Sequence, residues 1–291
     1  MVRKPLTAWL FVLPALLVFT ALVIAPILWS LSLSLVRWNG LGKQVFVGFG
    51  NYLQMLRDKV FVEAFFNTLF FSIVGSVVQL LAGMAMAVSL LAIRRFRNLI
   101  RVAYFVPAVV SSVAIAQIFG QVLAVQPEGL VNALLGAVGL GQYKAAFLSE
   151  PRLTLLIVTL VDAYKFCAIY MAIYYSALIS IDSEMLDASL VDGANWLQQL
   201  LLVRIPAIRA TIAVTIVLVV SGTLKGFDVS FVLTGGGPGA SSELVSTYLY
   251  KSLFNSSNFG YGSAIAVFLA IECLLVVIAL RWALRSERAA T

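Results

Sequence analysis

The chain has 291 residues, 62% of them hydrophobic and 11% charged, with a formal charge of +7 and no histidine. An ordinary soluble domain is about half apolar and about a quarter charged, so this balance excludes one. The missing histidine removes the usual general base, the commonest metal ligand and the ordinary pH switch, and the two cysteines, Cys167 and Cys273, each inside an apolar run, support neither a disulfide framework nor a cysteine metal cluster.

Apolar runs of the length that crosses a hydrocarbon core of ~30 Å predict six spans, at about 7–31, 68–92, 102–124, 154–179, 206–227 and 262–284. They are predicted as helices, because lipid satisfies no unpaired backbone group and the ten-residue alternation of barrel strands is absent. The first span follows Met1-Val2-Arg3-Lys4, which resembles the basic start of a signal peptide. Its apolar stretch is longer than a signal core of about 7–15 residues, so a retained helix is expected, kinked near Pro14 or Pro26.

With the N-terminus inside, the inner segments carry eleven lysines and arginines and the outer ones seven, which predicts both termini on the cytoplasmic side. Arg94, Arg95, Arg97 and Arg101 form one inner basic turn, read as an anchor to anionic headgroups. Basic residues gathered at span ends, with no basic stripe interleaved with aromatics, exclude a nucleic-acid partner.

Five ionisable residues lie in or beside the spans: Asp162, Lys165, Lys225, Asp228 and Glu272. Such groups are costly in a membrane and mark a pathway or a pairing. Asp162 with Lys165, and Lys225 with Asp228, stand three apart, so each couple either neutralises itself or lines a path. Glu272 has no neighbour of opposite charge in the sequence. Tyr164, Tyr170, Tyr174 and Tyr175 supply aromatic faces suited to a sugar, or simply pack.

Between the fourth and fifth runs sits a polar island, residues 180–205. Leu186, Leu190, Ala194, Leu197 and Leu201 recur at helical spacing, opposite Asp187, Asp192, Asn195 and Gln198. Asp182 is placed to cap the start and Glu184 to sit in the first turn. Gly193 interrupts the pattern, predicting two short helices at an angle, and Pro206 is placed to open the next span. An interfacial helix is one reading, although its polar face is acidic where such helices are usually basic.

The same stretch resembles the cytoplasmic motif of permease subunits of binding-protein-dependent ABC importers, Glu-Ala-Ala, three residues, Gly, nine residues, Ile-x-Leu-Pro. Here stand Asp187-Ala188-Ser189, Gly193 and Val203-x-Ile205-Pro206, with every spacing kept and four mild replacements. Residues 46–68 ending in Asn67-Thr68, then 128–136, 224–250 and 259–267, resemble the carbohydrate-uptake branch in the same order.

The resemblance implies an all-α integral membrane protein with six helices of the type I importer permease fold. Residues 1–67 would form the first helix and outer segment, 68–284 the core with the coupling loop 180–205, and 285–291 a cytoplasmic tail. It implies that Asp187, Ala188, Ser189, Asp192, Gly193 and Pro206 dock on an ATPase subunit, small Ala188 and Ser189 allowing close approach. The basic turn is then an additional candidate contact for that subunit.

The implied partners are a second permease, two ATPase subunits holding ATP and magnesium, an extracytoplasmic solute-binding protein and a sugar, in a bacterial inner membrane. No cofactor is expected on this chain. Tyr164, Lys165, Tyr170 and Glu272 are candidates for the solute path. Residues 234–239, Thr-Gly-Gly-Gly-Pro-Gly, lack the lysine and strand of a phosphate loop and read as an outer turn, either structural or beside the binding protein.

Three alternatives stay open: a non-sugar solute such as glycerol phosphate, an intramembrane enzyme and an ion-driven transporter. Without histidine there is no Ser–His dyad and no HExxH zinc site, and no G-x-S-x-G is present; a Ser–Lys arrangement stays open, with Lys165 and Lys225 as the candidates.

Overall fold

A computed structural model describes residues 5–93 and 95–289; Arg3, Lys4, Arg94 and the last two residues of the expected tail lie outside the described residues. The first helical run consists of α1 (Pro5–Phe19), a π-helical turn (Thr20–Ile24) and α2 (Ala25–Ser34). A two-residue antiparallel hairpin, β1 (Val36–Arg37) with β2 (Val45–Phe46), leads to α3 (Gly50–Arg57) and the long α4 (Lys59–Ala92). Then follow α5 (Arg97–Val109), α6 (Ser112–Val122), α7 (Leu130–Ala137) and α8 (Pro151–Ile179). The polar island folds as α9 (Ser183–Val191), α10 (Trp196–Gln198), a second π turn (Gln199–Arg204) and α11 (Ile205–Ala207). The chain ends with α12 (Arg209–Thr223), α13 (Asp228–Leu233), α14 (Val245–Tyr250), a third π turn (Lys251–Asn255) and α15 (Phe259–Ala289).

Among the described residues five helical stretches are long and apolar enough to cross a membrane, and six if one bent pair counts as a span. That pair is α5 and α6, which meet at 95°, so the run expected as one span at 102–124 is two helices with a break between them. At the break Val110 turns to extended backbone, and Ser111 starts a new helix by accepting the Ala114 N–H on its hydroxyl at 3.2 Å. An N-cap serine inside an apolar run ends one helix and begins another.

The kink expected near Pro26 takes the form of a widened turn. Proline lacks the amide that would bond four residues back, and its ring crowds that carbonyl; a π turn relieves both. Pro26 and Pro206 each stand two residues after such a turn, ending at Ile24 and Arg204. Pro206 therefore sits in α11, and the long fifth helix begins only at Arg209.

The described chain forms two compact units whose composition differs from the segments 1–67, 68–284 and 285–291, because α4 and α15 each contribute to both. The first unit runs to Val62 and adds Tyr248–Glu272. In it the Asn51 amide donates to the Ser34 carbonyl (2.7 Å) and the Val36 carbonyl (2.9 Å), two groups released where α2 ends. Asp58 accepts the hydroxyls of Tyr248 and Tyr261 and the N–H of Val60 and Phe61. Partial burial pushes this carboxyl up, but those four donors outweigh it and hold its pKa below the ordinary value.

The second unit holds Glu63–Thr247 and the chain from Cys273 onward. Its core is built on α8, against which α5, α6, α12 and α13 pack. Ala87, Leu90, Met171, Tyr174, Leu178 and Val219 form the largest buried cluster. The Tyr174 hydroxyl pairs with Thr215 at 2.8 Å, so this tyrosine packs rather than facing a solute; Tyr175 is likewise buried. Gly83 allows α4 and α8 to approach: a Cβ there would lie 2.9 Å from the Tyr170 Cβ and 3.0 Å from the Cys167 carbonyl. Small residues at such crossings let membrane helices touch along their backbones.

Candidate functional site

Two regions gather the residues singled out from the sequence. The first is the polar island. Asp182 caps α9 through the Glu184 N–H at 3.1 Å, as expected. Gly193 adopts a left-handed φ of +81°. The Ala194 N–H reaches back to the Ser189 carbonyl and the Gly193 N–H to Leu190, both at 3.0 Å, a complete Schellman stop. Asn195 and Gln198 then start the second limb as a reciprocal capping box with two 2.9 Å bonds.

The single greasy face expected through Leu186, Leu190, Ala194, Leu197 and Leu201 is not the buried one. Leu190, Leu197 and Leu201 are each more than half exposed, while Ser189, Gln199 and Leu200 are buried. The left-handed glycine rotates the second limb, so the 3.6-residue pattern does not carry through it. Asp187, Ala188 and Asp192 are exposed; Ser189 turns inward and donates to the Leu186 carbonyl at 2.6 Å. The island thus presents a mixed surface of carboxylates and bare apolar side chains over a polar interior.

The second region is a cavity of about 240 Å³ in the second unit, lined by Gln79, Asp162, Tyr170, Thr223, Lys225 and Asp228 with Phe166 and Phe227 beside them. Asp162 accepts the Gln79 amide at 3.2 Å. The Asp162–Lys165 pairing does not form: among the described residues no ion pair joins them, and Lys165, 4% exposed, donates to the Val110 carbonyl at 2.6 Å. Val110 is where the third span breaks, so the ammonium satisfies a carbonyl that the break removes from its helix. Lys225 and Asp228 are exposed, and they also form no ion pair among the described residues.

Of the candidates Tyr164, Lys165 and Tyr170, only Tyr170 lines this cavity. Tyr164 is half-exposed and stands edge-on to Phe119, with ring centroids 5.4 Å apart. Glu272 belongs to the first unit; it is 9% exposed and neither carboxylate oxygen has a hydrogen-bond partner among the described residues. Gln79 and Thr223 were passed over in the sequence, although a glutamine inside an apolar span carries the same signal as a charge: it needs a partner.

The motif at 234–239 is a built structure. Ser242 donates to the Gly237 carbonyl at 2.6 Å, Thr234 and Ser242 share a 2.9 Å bond, and Gly235, Gly236 and Gly239 have positive φ. Asn67 donates to the carbonyls of Ala240 (3.0 Å) and Glu243 (3.1 Å), and the Thr68 hydroxyl accepts the Val245 N–H at 2.9 Å. Asn132, buried in the 128–136 segment, likewise holds Ala145 through bonds of 3.1 and 3.2 Å.

Residues 79–288 match the family described as binding-protein-dependent transport system inner membrane component. The chain is 33% identical to the probable ABC transporter permease protein YurN of Bacillus subtilis (strain 168), covering 94% of each chain. It is 29% identical to the multiple sugar-binding transport system permease protein MsmF of Streptococcus mutans, over 93% of each. In fold it is similar to a chain of a bacterial ABC transporter involved in the import of the acidic polysaccharide alginate, with a TM-score of 0.85 at 22% identity over 97% of this chain and 96% of that one. The chain belongs to the family of inner membrane components of binding-protein-dependent transport systems.

Proposed function

We propose that this chain is one of two permease subunits of an ATP-driven importer in a bacterial inner membrane, passing a sugar or oligosaccharide delivered by an extracytoplasmic binding protein. The observation that carries the reading is the island: Asp187-Ala188-Ser189, Gly193 and Pro206 at family spacing, folded as two limbs about a left-handed glycine. The distribution of lysine and arginine supports a six-span arrangement with both termini and the island on the cytoplasmic side. There two ATPase subunits, which hold ATP and magnesium, would take the exposed Asp187, Ala188 and Asp192 and the bare leucines into their grooves.

Closure of the ATPase pair then moves the islands and changes which of two packings of the spans is favoured. This chain makes no covalent bond. The cavity suits hydroxylated solutes: carboxylate and amide oxygens accept hydroxyls, and Tyr170, Phe166 and Phe227 offer flat faces. Two carboxylates, Asp162 and Asp228, against the single ammonium of Lys225 disfavour an organic phosphate there. That the Streptococcus mutans relative is named for multiple sugars supports the same class.

The test is uptake of radiolabelled oligosaccharides into proteoliposomes holding the whole importer with its binding protein. Gly193→Leu is expected to insert and assemble but to abolish ATP-driven uptake; normal uptake by that variant would count against the coupling role.

A further inference from the structure

The centre of the island is held by one amide. Gln199, 6% exposed, donates from Nε2 to the Ser189 hydroxyl at 3.0 Å and to the Leu186 carbonyl at 3.2 Å. Its Oε1 accepts from Arg204 Nη2 at 3.1 Å and Nε at 3.4 Å. Leu186 and Ser189 lie on α9, whereas Gln199 and Arg204 are the first and last residues of the π turn that leads toward α12. A single side chain therefore bridges both limbs across Gly193.

A glycine at positive φ with open space around it is a natural pivot, and the apolar side chains Val191 (88% exposed) and Leu202 (72% exposed) do not lock it. A buried polar network in which every group is satisfied rigidifies its surroundings, and a half-satisfied one does the opposite.

We propose that Gln199 is a positioning residue: it keeps the two limbs at a fixed angle, so that force delivered to α9 reaches α12 instead of being absorbed at Gly193. The inference rests on the coupling reading above. It assigns a role to a glutamine that the motif pattern leaves unspecified. If Gln199 merely filled space, leucine, of similar size, would hold the two limbs at the same angle.

The experiment places spin labels at Val191→Cys and Leu202→Cys, with Cys167→Ser and Cys273→Ser, in the whole importer in nanodiscs, and measures their separation by pulsed dipolar resonance. With Gln199 present, one narrow distance is expected, the same without nucleotide and with ATP plus vanadate. Gln199→Leu should broaden the distribution and make it shift with nucleotide. Gln199→Glu, which keeps the oxygen that accepts from Arg204 but has no hydrogen to give Ser189 and sets a carboxylate against the Leu186 carbonyl, should broaden it too.

Ser189→Ala and Arg204→Met each cut one arm and should broaden it less; they decide the matter if the leucine variant does not assemble. A distribution as narrow and as unmoved in those variants as in the parent overturns the proposal, and so does a parent distance that changes with nucleotide. The coupling reading is tested separately by the Val191 label, which should lose mobility when the ATPase subunits are added. A label that stays free sinks that reading whatever the distances show.

Discussion

Lys165 illustrates how a charge is kept inside a membrane protein at low cost. Its ammonium is buried in α8, and instead of pairing with Asp162 one turn away it donates to the Val110 carbonyl at 2.6 Å. The carbonyl needs it: where α5 gives way to α6 the backbone turns by 95°, and a main-chain oxygen left unpaired in lipid costs several kcal/mol. Lys165→Met keeps the length and removes the donor, so the purified complex should lose about 1–3 kcal/mol of stability, read as a lower thermal midpoint in nanodiscs. Asp162→Asn should cost less, because the Gln79 amide it accepts at 3.2 Å still finds a carbonyl oxygen. If the lysine and asparagine variants melt together with the parent, the Val110 bond contributes nothing. Asp162 and Lys165 were both legible as unusual residues in an apolar run; the partner of each was not, because it lies on another helix.

At the scale of elements the glycine at 193 shows a sequence signal whose cause lies in the backbone. The bend was legible from the broken period. Nothing lies within 4 Å of where a Cβ would stand, so the constraint is the left-handed backbone itself. Gly193→Ala should therefore already cost about 1–2 kcal/mol of local stability, while Gly193→Asn, a larger side chain that tolerates positive φ, should recover most of it. Amide hydrogen exchange at Ala194, whose N–H closes the stop on Ser189, reads this directly: protection should fall roughly 5- to 30-fold in the alanine variant and much less in the asparagine one. Loss in both alike would return the argument to bulk. Beyond the bend, extrapolating one helical period across a left-handed residue predicted the wrong buried face, and only coordinates could place Ser189 and Gln199 inside. The break in span three had a signal, Ser111 as a cap inside an apolar run, but hydropathy averaged over about 20 residues passes over it.

At the scale of the molecule, six apolar runs were legible because lipid demands them, and the family because its short polar segments keep their order. What those segments do was hidden, since their bonds join residues far apart in sequence. Asn67 and Thr68 hold the loop that leads into α14, 173 to 177 residues along the chain. These sites are staples: each supplies a side-chain donor or acceptor to backbone groups that no helix pairs. Asn67 should be sensitive, because its two amide hydrogens serve two carbonyls, and an aspartate there has none to give. Asn67→Asp would set a carboxylate against the Ala240 and Glu243 carbonyls, so it should destabilise by more than Asn67→Ala, which leaves room for water; the alanine variant should cost about 1–3 kcal/mol. Asn132→Asp likewise loses its donors to the Ala145 and Ala124 carbonyls, the second a long 3.4 Å bond, but keeps the oxygen that accepts the Ala145 N–H, so its cost should be the smaller. The two sites share no partner, and the double variant should melt at a point given by the sum of the single effects. A strongly non-additive double variant would mean that the loop at 234–245 and the segment 124–145 unfold as one body rather than as separately fastened parts.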